Sequence, residues 1–427
     1  MKISQTMVLS FSVGNFRSFR EVQTFNMMAT DKKPRFEFQN DNLIPVTDKI
    51  AGLKVNVAYG ANGSGKSNLI QAFIEFIHIC KKSLVGPSAL QGLVPFLLAD
   101  DSPKQPTFFE IVVAAEGIIY RYGFEADTKR FHSEWLYVEE NGHEEMYFDR
   151  SKEGVNINDR SFSEGRKIMS SLDPEVSTLD DDKLLLSLGI LQKSKTLLRL
   201  QAALEKIIMV ENELGDHLHG LAMEMLRDQD VRQKTAKLLN NLSVDVDYIL
   251  HTGVAEDQEF IKDSGAAIDS LNDKIIFGHI MGKNPDGKDK VSAWLMESLE
   301  SAGTQRLTLL APYLLATVAK GYTLIIDEFE SRLHTNLSRA IIEMFIEPDS
   351  NPNNGQLIVA THDTNLLSAN LLRRDQITFL QKKEDKSTEI FRLSDIKGVR
   401  SDRSHEKDYL TGRYEAIPNI DRLIFTE

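Results

Sequence analysis

Residues 60–68, GANGSGKSN, constrain the fold of this chain more than any other segment. They fit the pattern G-x-x-x-x-G-K-[ST] at Gly60, Gly65, Lys66 and Ser67. A strand-like apolar run precedes the first glycine, and apolar residues at helical spacing follow the serine. Such a turn directs backbone N–H groups at phosphates. We therefore predict a phosphate-binding loop (P-loop), in which Lys66 reaches the β- and γ-phosphates and Ser67 holds Mg²⁺.

A second constraint is the apolar run YTLIIDE (322–328), which ends in two carboxylates. Continuous apolar runs are typical of buried parallel strands, and GQLIVATHD (355–363) is another. Adjacent residues of a strand point in opposite directions, so Asp327 can reach a Mg²⁺ shell while Glu328 faces the position of an attacking water. Following a P-loop, this pair indicates one metal ligand and one base.

Two further segments each have two interpretations. In ESAGTQR (300–306), Ser301 is a good N-cap for the apolar helix that follows. Alternatively, the Ser301 hydroxyl and the Gly303 amide form a second anion site, which a second protomer would present to the nucleotide. His362, just past the second buried strand, is either a loop cap or a functional residue, and its position after the carboxylate strand favours the functional interpretation.

The composition excludes several classes of protein. The 427 residues include 50 Lys+Arg and 63 Asp+Glu, giving a net charge of −13, which argues against coating nucleic acid by charge alone but allows a local basic groove. The single cysteine, Cys80, excludes an internal disulfide and a cysteine-based zinc site. No apolar run approaches a membrane span, and we find no secretory signal. We therefore expect a cytoplasmic protein without a membrane partner.

The sequence pattern divides the chain into three parts and predicts an α/β fold. Residues 1–162 carry the P-loop and strands with hairpin turns, which predict a mixed-sheet lobe with an antiparallel meander. Residues 163–242 are helical in pattern and read as an inserted arm. Residues 243–427 alternate strands and helices, and predict a second, parallel α/β lobe.

The order of these motifs resembles the ABC-type ATPase heads, in the branch that holds the SMC proteins, RecF and the overcoming-lysogenisation-defect ATPases. The opening FSVGNFRSF (11–19) is similar to the N-terminal strand and loop of that branch. More closely, the chain resembles the stand-alone AAA15/AAA21 ATPases of bacterial abortive-infection and phage-defence operons. Their terminal motif matches here at Tyr409, Leu410, Gly412, Arg413, Tyr414, Ala416 and Pro418.

The resemblance implies roles for individual residues and ATP with Mg²⁺ as ligands. The P-loop residues that would contact ATP are Gly60, Asn62, Gly63, Gly65, Lys66 and Ser67. Ser67 and Asp327 would hold Mg²⁺, Glu328 would activate water, and His362 would sense the γ-phosphate. The signature acting on the opposite protomer's nucleotide would be Ser301, Gly303, Thr304 and Gln305. His334 stands where many ABC heads carry the D-loop aspartate, and Glu415 replaces a glycine of the terminal motif. For the glutamine of the Q-loop, Gln91 and Gln105 are both candidates.

The resemblance implies an ATP-dependent homodimer or higher homo-oligomer, because half of each nucleotide site would come from another subunit. We find no nuclease carboxylate cluster or other effector motif, so a separately encoded nuclease or toxin is expected, with a phage protein as a candidate trigger. The alternative is a RecF-like ATPase that binds DNA in repair, and a third is an ATP-gated regulator without nucleic acid. The 163–242 segment is too short for the long coiled coil of an SMC protein.

Overall fold

The computed structural model describes residues 6–30, 41–83, 87–170, 181–211, 216–263, 273–287, 289–367, 371–398 and 405–414. Its strands are β1 (Thr6–Gly14), β2 (Gln23–Asn26), β3 (Leu43–Pro45), β4 (Ala51–Leu53), β5 (Val55–Tyr59), β6 (Thr107–Ala115), β7 (Ile118–Ala126), β8 (Phe131–Glu140), β9 (His143–Ser151), β10 (Gly154–Ile157), β11 (Ile207–Val210), β12 (Tyr248–His251), β13 (Ile275–Lys283), β14 (Asp289–Leu295), β15 (Thr323–Ile326), β16 (Gln356–Ala360), β17 (Ile377–Lys382) and β18 (Thr388–Arg392). Its helices are α1 (Lys66–Lys82), α2 (Gly165–Ser170), α3 (Leu185–Leu191), α4 (Lys195–Leu204), α5 (Asp216–Met225), α6 (Gln229–Asn241), α7 (Ala255–Asp263), α8 (Met296–Leu299), α9 (Ala302–Lys320), α10 (Thr335–Ile346) and α11 (His405–Leu410).

Two large sheets organise the chain and confirm the predicted α/β class. The first is antiparallel, in the order β10-β9-β8-β7-β6-β1-β2, and contains the predicted meander. Its β8–β9 turn has Asn141 and Gly142 at φ 55° and 80°, the left-handed conformation that the Asn-Gly pair indicates. The second sheet has the order β11-β15-β16-β5-β17-β18 and is parallel except for the β17–β18 hairpin.

Helix α1 lies between the two sheets. The Phe73 ring on α1 stacks on Phe11 of β1 at 3.9 Å between centroids, and Phe76 packs on Phe124 of β7. The same core includes Ile325 and Ile358 from one face of the parallel sheet. The opposite face packs against α6, α9 and α10. Because both faces are covered, the parallel strands are apolar throughout, which explains the continuous runs in the sequence.

The segments defined by sequence are not separate in space. The P-loop strand β5 lies in the parallel sheet, between β16 and β17, and not in the antiparallel sheet of residues 1–162. In this position every residue of β5 is buried. The boundaries at 162 and 242 themselves remain a prediction.

The 163–242 segment, predicted as a helical insertion, contains α2 to α6 and also one short strand. Ile207–Val210 within it forms β11, which pairs in parallel with β15 from Thr323 to Ile326. At its other end, the buried Glu134 carboxylate of β8 accepts hydrogen bonds from the amides of Leu185 and Leu186 at the start of α3. The segment therefore contributes a strand to the parallel sheet and is hydrogen-bonded to a side chain of the antiparallel sheet. A four-residue apolar strand between helices has too short a pattern to be distinguished from helix.

The remaining strands form a three-stranded antiparallel sheet, β12-β13-β14, and a small β3–β4 pair. The β13–β14 hairpin turns at residues 284–287, where the Gly287 amide donates to the Asn284 carbonyl. The sheet leads directly into α8 and then α9. Within the described residues, every helix is too short or too polar to cross a membrane.

Candidate active site

The P-loop connects the carboxyl end of β5 to α1. Gly63 and Gly65 have φ 76° and 108°, values that favour glycine over any L side chain, and Gly65 is the N-cap of α1. The Lys66 ammonium folds back over the loop and donates to the carbonyls of Gly60 and Ala61 at 2.7 and 3.2 Å. The loop is therefore closed on its own lysine, with its tip at Asn62 exposed.

Lys66 is a buried cation with acidic neighbours. Only 7% of the residue is exposed. Burial lowers the pKa of Lys66 to about 8, and the carboxylates of Asp327, Glu330 and Glu328 oppose that shift in that order. The P-loop lysine and the end of β15 thus belong to one electrostatic site. An anionic phosphate would replace the two carbonyl contacts and restore the favourable charge environment of the ammonium.

A layer of hydroxyl groups supports the P-loop from behind. Thr388 Oγ1 donates to the Ser64 carbonyl at 2.8 Å and lies 2.8 Å from Ser18 Oγ. The side-chain amide of Asn68 donates from Nδ2 to the same Ser18 hydroxyl at 2.8 Å. A Cβ at Gly65 would lie 2.3 Å from Thr388 Oγ1, so this glycine is required by packing as well as by its φ. The N-terminal loop and the β17–β18 hairpin therefore both hold the P-loop backbone.

The two carboxylates that follow β15 differ in their surroundings. Asp327 is 8% exposed, its amide donates to the Val210 carbonyl of β11, and its Oδ1 accepts the Glu328 amide at 3.0 Å. Glu328 has φ 44°, a left-handed conformation that is uncommon for this residue type. The chain thus turns sharply at Glu328 and does not continue as a strand. The directions of the Asp327 and Glu328 side chains are therefore set by this turn and not by the alternation of residues along a strand.

His362 lies at the carboxyl end of β16, next to β15 in the sheet. Its amide donates to Glu330 Oε1 at 2.7 Å. Burial and the Lys66 ammonium lower the pKa of His362, while Glu330, Glu328 and Asp327 act in the opposite direction. The P-loop, the end of β15 and the end of β16 are therefore brought together at one edge of the sheet, where open α/β sheets bind ligands.

The signature segment begins helix α9. Ser301 is its N-cap, with Oγ accepting the Thr304 amide at 3.1 Å and lying 3.0 Å from Thr304 Oγ1. Gln305 Nε2 donates to the Glu300 carbonyl at 2.8 Å, so this side chain holds its own loop. A Cβ at Gly303 would lie 2.5 Å from the Arg332 carbonyl. Ser301 therefore caps the helix and is exposed at its N-terminus, while the second anion site stays a prediction.

Sequence reasoning missed several residues at this edge. Glu211, directly after β11, accepts a hydrogen bond from Gln71, one turn beyond Ser67 on α1. Glu211 therefore occupies the sheet edge beside Asp327, whereas among the described residues neither Gln91 nor Gln105 makes a side-chain hydrogen bond to the P-loop. Only the pairing of β11 with β15 reveals this position. Ser18, Thr388 and Glu330 were also missed, because their partners are distant in sequence.

His334 and the terminal motif have structural roles here. His334 is the N-cap of α10, with Nδ1 accepting the Asn336 amide at 3.2 Å. Tyr409 stacks on Phe379 at 5.6 Å between centroids and lies 5.9 Å from Tyr59, the residue before the P-loop. The Tyr59 hydroxyl donates to the Asp363 carbonyl. The terminal motif thus packs behind the P-loop, while its Glu415, Ala416 and Pro418 lie outside the described residues.

The donor set suits a Mg²⁺-nucleotide. Asp327 is a buried carboxylate with one oxygen held by a backbone amide, and Ser67 offers an exposed hydroxyl in the first turn of α1. Carboxylate and hydroxyl oxygens, with phosphate oxygens and water, are the ligands that Mg²⁺ prefers. No group of three or more His, Cys, Asp and Glu side chains that could hold a metal occurs in the part of the chain the structure describes.

Comparison with known families decides the class of protein. The model described as "AAA domain, putative AbiEii toxin, Type IV TA system" (AAA_21) matches residues 55–368, roughly three quarters of the chain. The chain belongs to the AAA_21 family. The AAA_21 match spans both the P-loop and His362, and it supports a P-loop ATPase domain.

Two further comparisons complete the findings on this AAA_21 protein. Among solved structures it is similar to the SMC head domain from Thermotoga maritima, with 14% sequence identity and a TM-score of 0.41. The similarity covers 90% of this chain and 98% of that chain. No curated protein sequence matches it.

Proposed function

We propose that this AAA_21 protein binds and hydrolyses Mg²⁺-ATP, and that ATP joins two copies of it. The observation that carries this proposal is the convergence of Lys66, Asp327, Glu328 and His362 at one sheet edge, with the exposed Ser301 turn left over. The P-loop side of the site is complete within one protomer, and the N-terminus of α9 is exposed. This arrangement fits a nucleotide held between two protomers.

In the proposed reaction, the P-loop amides and Lys66 bind the β- and γ-phosphates and orient the γ-phosphorus. Mg²⁺ supplies charge neutralisation of the phosphate oxygens, and Ser67 and Asp327 would hold it. A water attacks the γ-phosphorus as the bond to the bridging oxygen breaks, and the Glu328 carboxylate takes the proton of that water. Loss of the γ-phosphate removes the group shared by both protomers, so the interface weakens and the population shifts toward the open state.

We further propose that the assembly senses or restrains a separately encoded nuclease or toxin in anti-phage defence, with a phage protein as trigger. The support is the family description, which names a toxin of a toxin–antitoxin system, together with the motifs shared with abortive-infection ATPases. The acidic composition also supports a protein partner over extended DNA contact.

The first experiment compares wild type, Lys66→Ala and Glu328→Gln for ATP binding, hydrolysis and mass in solution. Wild type should hydrolyse ATP, Lys66→Ala should not bind it, and Glu328→Gln should bind it, turn over slowly and accumulate the dimer. Turnover by Glu328→Gln at the wild-type rate would overturn the assignment of the base.

The second experiment purifies Glu328→Gln with ATP from cells that hold its native operon. A stoichiometric neighbouring protein with nuclease or toxin activity would support the defence function. DNA alone would instead favour the RecF-like repair ATPase. Lys66→Ala prepared in parallel is the control, because a partner that needs the ATP-closed form should not co-purify with it.

A further inference from the structure

The turn after β15 contains a third carboxylate, Glu330, with a contact that no motif of the sequence indicates. Glu330 Oε1 accepts the backbone amide of His362 at 2.7 Å, across 32 residues of chain. The backbone of the same turn is fixed to β16, because the Phe329 amide donates to the Ala360 carbonyl at 2.9 Å. Glu330 therefore ties the turn after β15 to the loop that carries His362.

The second carboxylate oxygen of Glu330, Oε2, differs from Oε1 in its hydrogen bonding. Oε2 is buried, yet it has no hydrogen-bond partner among the residues that the structure describes. A buried carboxylate oxygen without a donor is unfavourable, and a catalytic role or a donor that binds in another state explains such an atom. The groups near Glu330 indicate which donor is available to it.

Glu330 affects the pKa values of Lys66 and His362, the two groups at the centre of the proposed site. Burial and Lys66 lower the pKa of His362, and among the carboxylates Glu330 opposes this shift most strongly, ahead of Glu328 and Asp327. Burial also lowers the pKa of Lys66, and there Glu330 acts ahead of Glu328. Glu330 thus acts electrostatically on both Lys66 and His362, although Glu328 is the carboxylate that the sequence motif indicates.

We propose that Glu330 is a positioning residue for His362. Oε1 holds the backbone of the His362 loop, and Oε2 accepts a hydrogen bond from the His362 imidazole when nucleotide is bound. A carboxylate on one ring nitrogen fixes the tautomer and the ring plane, so the other nitrogen is aimed at the γ-phosphate. This inference rests on the proposed ATP hydrolysis and adds a residue to it.

The test is a double-mutant cycle on ATP hydrolysis with Glu330→Ala, His362→Ala and the double variant. If Glu330 acts through His362, Glu330→Ala should lower kcat by about 10-fold or more while ATP affinity stays within about 3-fold of wild type. The double variant should then be no slower than His362→Ala, because residues that act as a unit are not additive.

Two additional variants keep the result interpretable. Glu343→Ala removes a glutamate on α10 that pairs with exposed Arg339, and it should leave kcat unchanged. Glu330→Gln keeps an acceptor for the His362 amide, so it should bind ATP and melt like wild type, and a kcat loss in it reports the second oxygen.

Two outcomes would overturn the inference: a kcat of Glu330→Ala within 2-fold of wild type, or a double variant whose loss equals the product of the two single losses. Both require a wild-type protein that hydrolyses ATP. Absence of hydrolysis by wild type would instead overturn the proposed function itself, so the two failures are distinguishable.

Discussion

Arg306, in the second turn of α9, donates a hydrogen bond from Nη2 to the backbone carbonyl of Glu328 at 2.9 Å. The signature helix is therefore attached to the turn that carries the proposed base of the same protomer. Because Glu328 adopts a left-handed backbone conformation, its turn depends on such external contacts. In the proposed dimer, a movement of the signature helix would reach Glu328 of the same protomer through the Arg306 guanidinium group.

Replacing Arg306 tests that attachment. We expect Arg306→Ala to retain ATP binding and to lose about 10-fold in hydrolysis, since the P-loop is untouched while the Glu328 turn is released. Steady-state hydrolysis and nucleotide binding measure the two effects. Arg339→Ala, on the surface of α10, is the matched control and should behave as wild type. Equal losses in ATP affinity and in turnover would contradict the attachment.

The two roles of Ser301 can be separated by substitution. Ser301→Ala removes the cap of α9, at a cost of about 1 kcal/mol in unfolding free energy. Ser301→Asp keeps a capping oxygen but places a negative charge where the partner's γ-phosphate would lie. We expect Ser301→Asp to bind ATP and to remain monomeric with ATP in sedimentation, even in the Glu328→Gln background. Normal dimerisation by this variant would count against a site completed in trans.

The hydroxyl layer behind the P-loop predicts an effect on ATP affinity. Thr388→Val keeps the shape of the side chain but removes hydrogen bonds to Ser64 and Ser18, with a loss of about 1–2 kcal/mol in unfolding free energy. We expect ATP affinity to fall by about 5-fold or more, measured by calorimetry. Thr388→Ser should restore it, because the hydroxyl is back in place. Equal ATP affinity in all three proteins would show that this layer does not shape the loop.

Lys66 predicts a pH dependence of nucleotide binding. Its pKa is lowered to about 8 in the free protein, so at pH 8.5 a substantial fraction is neutral. Bound phosphate favours the charged form and raises that pKa, so binding should take up a proton above pH 8 and should weaken as the pH rises further. Calorimetry at pH 8.5 in EDTA, in buffers of different ionisation enthalpy, measures this uptake. Lys66→Arg remains charged and should show none, and wild type without uptake would refute the prediction.

Much of the local structure follows from the sequence because its causes are local. The glycines of the P-loop, the Asn141-Gly142 hairpin and the Ser301 cap each depend on the conformation of a few adjacent residues. The strands that precede Asp327 and His362 have unmistakable apolar runs. The site residues proposed from these motifs lie just after strands or at helix starts, where adjacent residues set most of the backbone conformation. Glu328 is the exception, because Arg306 also holds its turn.

Spatial assembly required the tertiary structure. Parallel strands buried on both faces share one apolar pattern, so the sequence cannot say that β5 pairs with β16 and β17, or that β11 pairs with β15. These pairings moved the P-loop strand out of the predicted N-terminal lobe and made a sheet strand from part of the helical segment.

The sequence alone therefore determined which chemical groups the chain offers: a phosphate loop, a carboxylate pair, a histidine and a capped helix start. Only the tertiary structure decided which side chains stand behind them, such as Thr388 behind the P-loop and Glu330 beneath His362. The reason is physical. A turn or cap is fixed by adjacent dihedral angles, whereas a hydrogen bond across 32 or 324 residues exists only once the sheet has set its strand order.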